Sequence, residues 1–462
     1  GNILLHIDYE MNRKKKKRTD SKIGKKRTEY LHIMQFNNKL YMLLGRADKK
    51  RNKYIVYTRT INRQKLTTNN DLQKLFEFDY AGFSKSKSGN LKFRLSEDST
   101  KLAVFYSAVG RDKEKAGFRV FDTDLDVVGA AEYTAPCKEK LYKINDYKVD
   151  NTGNAFILAT VFNEKPKFEI DDKPNYRYEI LAYYNQENIH KTYTIKDETW
   201  FIKRLRIEPG KQNNLICTGF FSEKNDSRIS GVFYQTINMS TKEVDTGNFY
   251  KEFVKAHFRK ENLVTPEKKG DSAQEELKRM PHLKNYKLKD IIPDKDGGAT
   301  IVGEISYTHT SSTGRGSGER TYTLYGFLTI VVVKISQEGT INWVRLIYKR
   351  QYTMDDGGII SSYALVHKKD TLLFLYNDDY RNKYTDSSKN VFSFNRELNE
   401  SVAALVAVSP DGSIQYEVLF TCQDAGVYLL PRACSQISDN QIFIAGWKGF
   451  RDRCGLLTLE GQ

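Results

Sequence analysis

A short strand, a tight polar turn and a strongly apolar strand recur in that order along the whole chain. The unit reads HIMQFNNKLYMLLG around Leu40, FRLSEDSTKLAVFYS around Leu102, YKVDNTGNAFILAT around Ala155 and LRIEPGKQNNLICTG around Leu215. It returns as DIIPDKDGGATIVGE around Ala299, ALVHKKDTLLFLY around Leu372 and SQISDNQIFIAG around Ile442. A repeat of this kind narrows the fold more than any composition does. One unit cannot bury its apolar face alone, so neighbours must stack. The turns are filled with Asn, Asp, Gly and Ser, which tolerate the backbone angles of tight hairpins.

A second apolar strand and polar turn follow most of these anchors, as in KYIVYTRTI from Lys53, GFRVFDTDL from Gly117 and YEILAYYN from Tyr178. Further copies are GVFYQTI from Gly231, TIVVVKISQEGTINW from Thr329 and ALVAVSPDGSIQY from Ala404. Two hairpins per repeat make four strands, the content of one propeller blade. The fold expected is all-β: a closed β-propeller of about seven four-stranded blades with a short helical insertion. It fills residues 1–462 as a single domain. The N-terminal strand, residues 2–9, is expected to complete the last blade, residues 426–460, and so remove exposed strand edges.

Composition agrees with strands. Tyr (29) and Phe (25) are abundant and Pro (9) is scarce, which suits pleated, half-buried surfaces. The longest strongly apolar stretch, Phe327 to Val333, is far below the roughly 20 residues of a spanning helix. The net charge is +16, and more than half of it comes from residues 11–27, where ten Lys and Arg face the single acid Asp20. This segment is expected to be a basic loop. Lys14, Lys15, Lys16, Lys17 and Arg18 are its candidate contacts for polyanions. It lacks the interleaved aromatics that grip nucleic-acid bases, so no specific nucleic-acid binding is expected.

Two segments break the strand rhythm. Residues 254–285 carry EFVKAHFRKE at their edge and AQEELKRM within, which read as short helices around a loop containing Pro and Gly. Phe258, Leu263, Leu277, Met280 and Leu283 are apolar among many charges there, and they are the candidate residues for docking a protein partner. Thr308 to Arg320, rich in Gly, Ser and Thr, is expected to be a mobile loop.

Chemistry is sparse. The histidines (His6, His32, His190, His257, His282, His309, His367) never fall at metal-ligand spacing with one another or with a cysteine. Asp355-Asp356 and Asn377-Asp378-Asp379 carry oxygen ligands but not the spacing of a calcium loop. Gly314, Gly316 and Gly318 lack the strand-to-helix setting of a phosphate loop. Ser84 to Lys87 fits S-x-x-K without the elements that accompany it in acyl-transfer enzymes. No catalytic residue, cofactor or metal site is therefore assigned. The five cysteines include no C-x-x-C pair, and buried free thiols are the expected state.

Between Asn285 and Asp378 stand Gly297-Gly298, Val331 to Ile335, Gly339, Trp343, Lys349 to Gln351, Gly357-Gly358, Ser362-Tyr363 and Asn377-Asp378. In these features the stretch resembles envelope-directed, propeller-like proteins of Bacteroidota. Asp271-Ser272-Ala273 also resembles the short O-glycan acceptor of exported proteins in that phylum. The resemblance implies export to the periplasm or cell surface. It also implies a non-enzymatic interaction role, as an accessory subunit of an outer-membrane complex such as the type IX secretion translocon. It brings no catalytic residues. The alternative is a carbohydrate-binding or carbohydrate-active propeller protein.

Overall fold

Each anchor of the repeat lies in a strand flanked by partners on both sides. In the computed structural model, the residues described are 3–7, 13–18, 22–23, 26–79, 90–109, 113–247, 249–253, 283–313, 320–385, 390–394, 399–449 and 451–459. The chain divides into two compact units, Gly1–Phe201 and Ile202–Gln462, where the sequence suggests one domain.

In the first unit, the first sheet comprises Glu29–Phe36, Lys39–Asp48 and Lys53–Asn62, with Thr67–Thr68 and Gln73–Asp79 both laid along the third strand. The second sheet is Asn90–Leu95, Leu102–Val109, Glu114–Phe121 and Val127–Thr134. The third is Tyr142–Val149, Ala155–Phe162, Tyr176–Tyr184 and Ile189–Ile195. All are antiparallel meanders. The turn Asn37-Asn38 shows why the polar punctuation matters. Both residues have positive φ, 44° and 56°, as a two-residue hairpin with the right twist requires.

The second unit continues the pattern. Phe201–Pro209 opens the fourth sheet, followed by Asn214–Ser222, Gly231–Asn238 and Tyr250–Glu252. The fifth holds Tyr286–Pro293, Ala299–Thr313, Arg320–Ile335 and Ile341–Ile347, with Gln351–Met354 added beside the third strand. The sixth is Ala364–Lys368, Thr371–Asp379, Ser401–Val408 and Ile414–Thr421. In the seventh, Tyr428–Leu429 and Ser435–Ser438 share one side of Gln441–Lys448, and Arg451–Thr458 takes the other.

Within each unit, neighbouring sheets bury their faces against each other. Val56 and Phe78 of the first sheet pack with Val104 and Tyr106 of the second, where Phe78 and Tyr106 stack at 4.4 Å. Phe220 and Tyr234 of the fourth join Ile301 and Val333 of the fifth. Phe374 and Val406 of the sixth join Val332 and Trp343 of the fifth. Ala155–Phe162 of the third sheet is buried at every position. Each large apolar side chain so buried contributes about 1.5–3 kcal/mol.

Several expectations change. Ile3–Ile7 pairs antiparallel with Arg13–Arg18, Ile3 opposite Arg18, and no described pairing joins residues 2–9 to 426–460. The basic run is thus not a plain loop: Lys14 to Lys17 and Arg18 lie on that strand, and Lys22–Ile23 pairs with Lys26–Arg27. Ladder bonds use the backbone, and charge in the side chains does not forbid them. Part of the expected Gly- and Ser-rich loop is strand. Thr308 to Thr313 continue a 15-residue strand, and residues 314–319 lie outside the described residues. Phe258, Leu263, Leu277, Met280 and the acceptor-like Asp271-Ser272-Ala273 lie outside them too. Leu283 is described and is no docking residue. Leu283–Lys284 pairs with Arg228–Ile229, and Leu283 is 5% exposed in the same core as Phe253. Its partner is its own chain.

Candidate functional site

The fifth sheet places an exposed ribbon directly above a buried charge network. Its two central strands, Ala299–Thr313 and Arg320–Ile335, are nearly twice as long as their first-strand neighbour Tyr286–Pro293. Their outer ends therefore overshoot, and Gln351–Met354 pairs along Leu324 to Phe327 to make the overshoot three-stranded. At the root, a bulge between Glu304 and Ser306 redirects the strand.

Glu304 and Lys349 anchor that root. Both side chains are fully buried, and Lys349 Nζ pairs with Glu304 Oε1 at 2.8 Å. Lys349 also donates to Gln351 Oε1 at 3.0 Å, and the same oxygen accepts the Ser362 amide at 2.8 Å. Ser362 Oγ donates to Glu304 Oε2 at 2.8 Å, and Lys289 Nζ approaches that oxygen at 3.5 Å. Burial holds the Lys349 ammonium below its ordinary range, against the attraction of Glu304.

The network extends into the sixth and seventh sheets. Gln351 Nε2 donates to the Asn377 carbonyl at 2.7 Å. Asn377 Nδ2 donates to the carbonyls of Ile360 and Leu429, at 2.7 and 2.8 Å, and Asn377 Oδ1 accepts the Leu429 amide at 2.8 Å. Asp378 accepts from Asn382 Nδ2, the Asp379 amide and the Tyr416 hydroxyl. Burial pushes its carboxyl up to about 7, and those donors only partly offset this. Asp379 grips Arg381 with both oxygens, at 2.7 and 2.8 Å.

This gathers residues that the sequence singles out for other reasons. Lys349, Gln351, Ser362 and Asn377 are linked in one buried cluster, and Asp378 is buried beside it. Asn377-Asp378-Asp379 spends its oxygens on protein donors. Asp355 and Asp356 accept the amides of Thr323 and Gly358. Among the described residues no group of three or more His, Cys, Asp and Glu is arranged to hold a metal ion. All five cysteines are free, and Cys217 and Cys422 are buried. Glu304 is the member that sequence reasoning misses. Its signal is an acid closing the apolar run of its repeat.

The ribbon above the network is the exposed feature. Tyr307, Gly326 and Tyr352 form one cross-strand row, and His309, Leu324 and Met354 form the next. Tyr307 lies over Gly326, where an added Cβ would come within 2.6 Å of its ring. Tyr307 and Tyr352 are each 38% exposed and Met354 is 52% exposed. Tyr307, Tyr352 and Met354 thus place partly exposed apolar surface on strands whose root carries the buried ion pair. In the first unit, a separate cleft is lined by Phe118, Glu132, Tyr133, Tyr183, His190 and Lys191.

No protein-family model matches the chain. No curated protein matches it. Among solved structures, polysaccharide lyase Uly1 is similar over 96% of this chain and 95% of its own, with a TM-score of 0.39 and 10% identity. The Dos1 propeller is similar over 90% and 91%, with a TM-score of 0.36 and 6% identity. The β-propeller domain of the Trilobed protease from Pyrococcus furiosus is similar over 86% and 97%, with a TM-score of 0.27 and 10% identity.

Proposed function

We propose that this chain is a non-catalytic docking module, its sheets the blades of a β-propeller and the ribbon of the fifth sheet its contact surface. The observation that carries the reading is the row of Tyr307 and Tyr352 with Met354 beside it, exposed on strands whose root is locked by Lys349 and Glu304. Charged groups at that root are turned toward one another, which suits positioning better than turnover. The resemblance of residues 285–378 to Bacteroidota envelope proteins supports an exported location. It also supports a partner in an outer-membrane assembly such as the type IX translocon. No helix among the described residues is long and apolar enough to cross a membrane.

The test is a Tyr352→Ser/Met354→Ser double variant. Both side chains are at least one-third exposed, so the melting temperature should move little. Affinity purification from native expression, followed by reconstitution with the recovered protein, should show at least about a tenfold loss of affinity. Unchanged binding by the folded variant would sink this reading. A carbohydrate-binding role is the second reading, favoured by the aromatic and polar lining of the cleft around Tyr133 and Tyr183.

A further inference from the structure

The fifth sheet leaves a strand position open. Tyr286–Pro293 pairs with Ala299 to Ile305 and begins at Tyr286, opposite Ile305, whereas the neighbouring strand runs on to Thr313. Asn285, at φ 63°, turns the preceding chain off that line, and Leu283–Lys284 pairs instead with Arg228–Ile229. Ser306 to Thr313 are laddered to Arg320–Ile335 on one side. On the other they have no strand partner among the described residues. Tyr307 to Thr313 are all exposed. Every second residue of such an edge turns its N–H and C=O outward together. An unpaired edge is a template for another strand. Lys, Pro and acidic residues, the usual guards of an edge, are absent from Ser306 to Thr313.

Charge selects the occupant. Lys284 is exposed and Lys287 half-buried at the root of the edge, on either side of the turn at Asn285. Beyond its backbone ladder to Glu304, the Lys287 ammonium has no hydrogen-bond or ion-pair partner among the described residues. Burial and the like charges of Arg204 and Lys289 hold its ammonium below the ordinary range. The acid across the ladder, Glu304, is already committed to Lys349, Lys289 and Ser362. At the far end of the ladder Arg320 stands opposite Thr313 and is exposed. A two-fold pairing of this edge with a second copy would set Lys284 and Lys287 of each chain near Arg320 of the other. An antiparallel peptide instead runs toward the root and delivers its C-terminal end to Lys287. Its alternate side chains then lie beside Tyr307 and His309.

We propose that Ser306 to Thr313 binds an extended peptide by antiparallel strand addition, with apolar residues at alternate positions and a carboxylate-rich C-terminal end held by Lys287. This rests on the docking-module reading and adds the class of partner. The probe is a fluorescein-labelled Thr-Val-Thr-Val-Thr-Val-Asp-Asp peptide, titrated by anisotropy with the full chain beside a version ending in Lys-Lys. The acidic peptide should bind at least about tenfold more tightly, a difference of about 1.4 kcal/mol. Lys287→Glu should reverse the preference. His309→Pro and Thr310→Pro are both made, because one of these residues turns its N–H outward and the other into the ladder. The outward one should lose the peptide while keeping the melting temperature.

Absence of binding to either peptide overturns the proposal. So does binding that survives both proline variants, which would make the contact purely electrostatic. Concentration-dependent dimerisation abolished by the outward proline would assign the edge to a second copy and overturn it as well. If the peptide fails while Tyr352→Ser/Met354→Ser still strips the partner, strand addition is wrong and the docking-module reading stands.

Discussion

Lys349→Met should destabilise the second unit by about 3–5 kcal/mol, because it leaves Glu304 buried without its main counter-charge. The Glu304 side chain is fully buried. After the substitution it would retain only the Ser362 hydroxyl at 2.8 Å and Lys289, one-third exposed, at 3.5 Å. Met matches the length of the lysine stem, so lost packing is a minor part of the effect. In a unit of this size the melting temperature should fall by roughly 10 °C, at about 2–4 °C per kcal/mol. Urea unfolding of the parent, Lys349→Met and Lys349→Met/Glu304→Gln measures the cause. The double variant should recover most of the loss, since the introduced glutamine is uncharged and still offers Ser362 an acceptor. If it is as unstable as the single variant, stem packing rather than the stranded carboxylate governs the site.

Asp378→Asn should flatten the dependence of stability on pH. The folded carboxyl titrates near 7, above the ordinary range, with burial as the largest cause. A group raised in this way favours its protonated form in the folded state. Its contribution is full below about pH 4 and is lost as pH rises through about 7. The difference corresponds to about 4 kcal/mol at most between those limits. Asn keeps the acceptor for Asn382 and for the Asp379 amide and presents an amide group to the Tyr416 hydroxyl. The variant should therefore match the parent near pH 4 and exceed it increasingly from pH 5 to pH 8. Melting curves at pH 5, 6.5 and 8 decide the matter, and parallel profiles would show that Asp378 does not titrate in this range.

The sheets were legible because their signal is local. An apolar run after an Asn/Asp/Gly turn marks Leu40, Leu102, Ala155, Leu215, Ala299, Leu372 and Ile442, and each lies in a strand with partners on both sides. The overshoot was hidden by composition. Thr308 to Thr313 reads as loop because Ser and Thr are polar. Yet a strand exposed at every position, as Tyr307 to Thr313 is, asks for no apolar alternation, and threonine suits a pleated strand. Thr310 facing Thr323 and Ser312 facing Thr321, at 3.4 and 3.2 Å, supply the cross-strand contacts instead. The charge network was hidden by distance along the chain. Glu304 and Ser362 are 58 positions apart, and only the adjacency of successive sheets brings them together. Leu283 was misread because charges surround it, whereas a two-residue ladder to Arg228–Ile229 pins it in the core.

Asn377 uses its side-chain amide as a strand would use a peptide group. It accepts from the N–H of Leu429 and donates to the C=O of the same residue, 52 positions away, while fully buried. Stacked-sheet proteins share stability mainly between neighbours, so the contact that joins two neighbours sets how far an opening spreads. Leu429 cannot expose its amide without breaking its bond to the Asn377 side chain. Its hydrogen exchange should consequently report the opening of the sixth sheet, and the two sheets should exchange as one cooperative block rather than fraying from the C-terminal side.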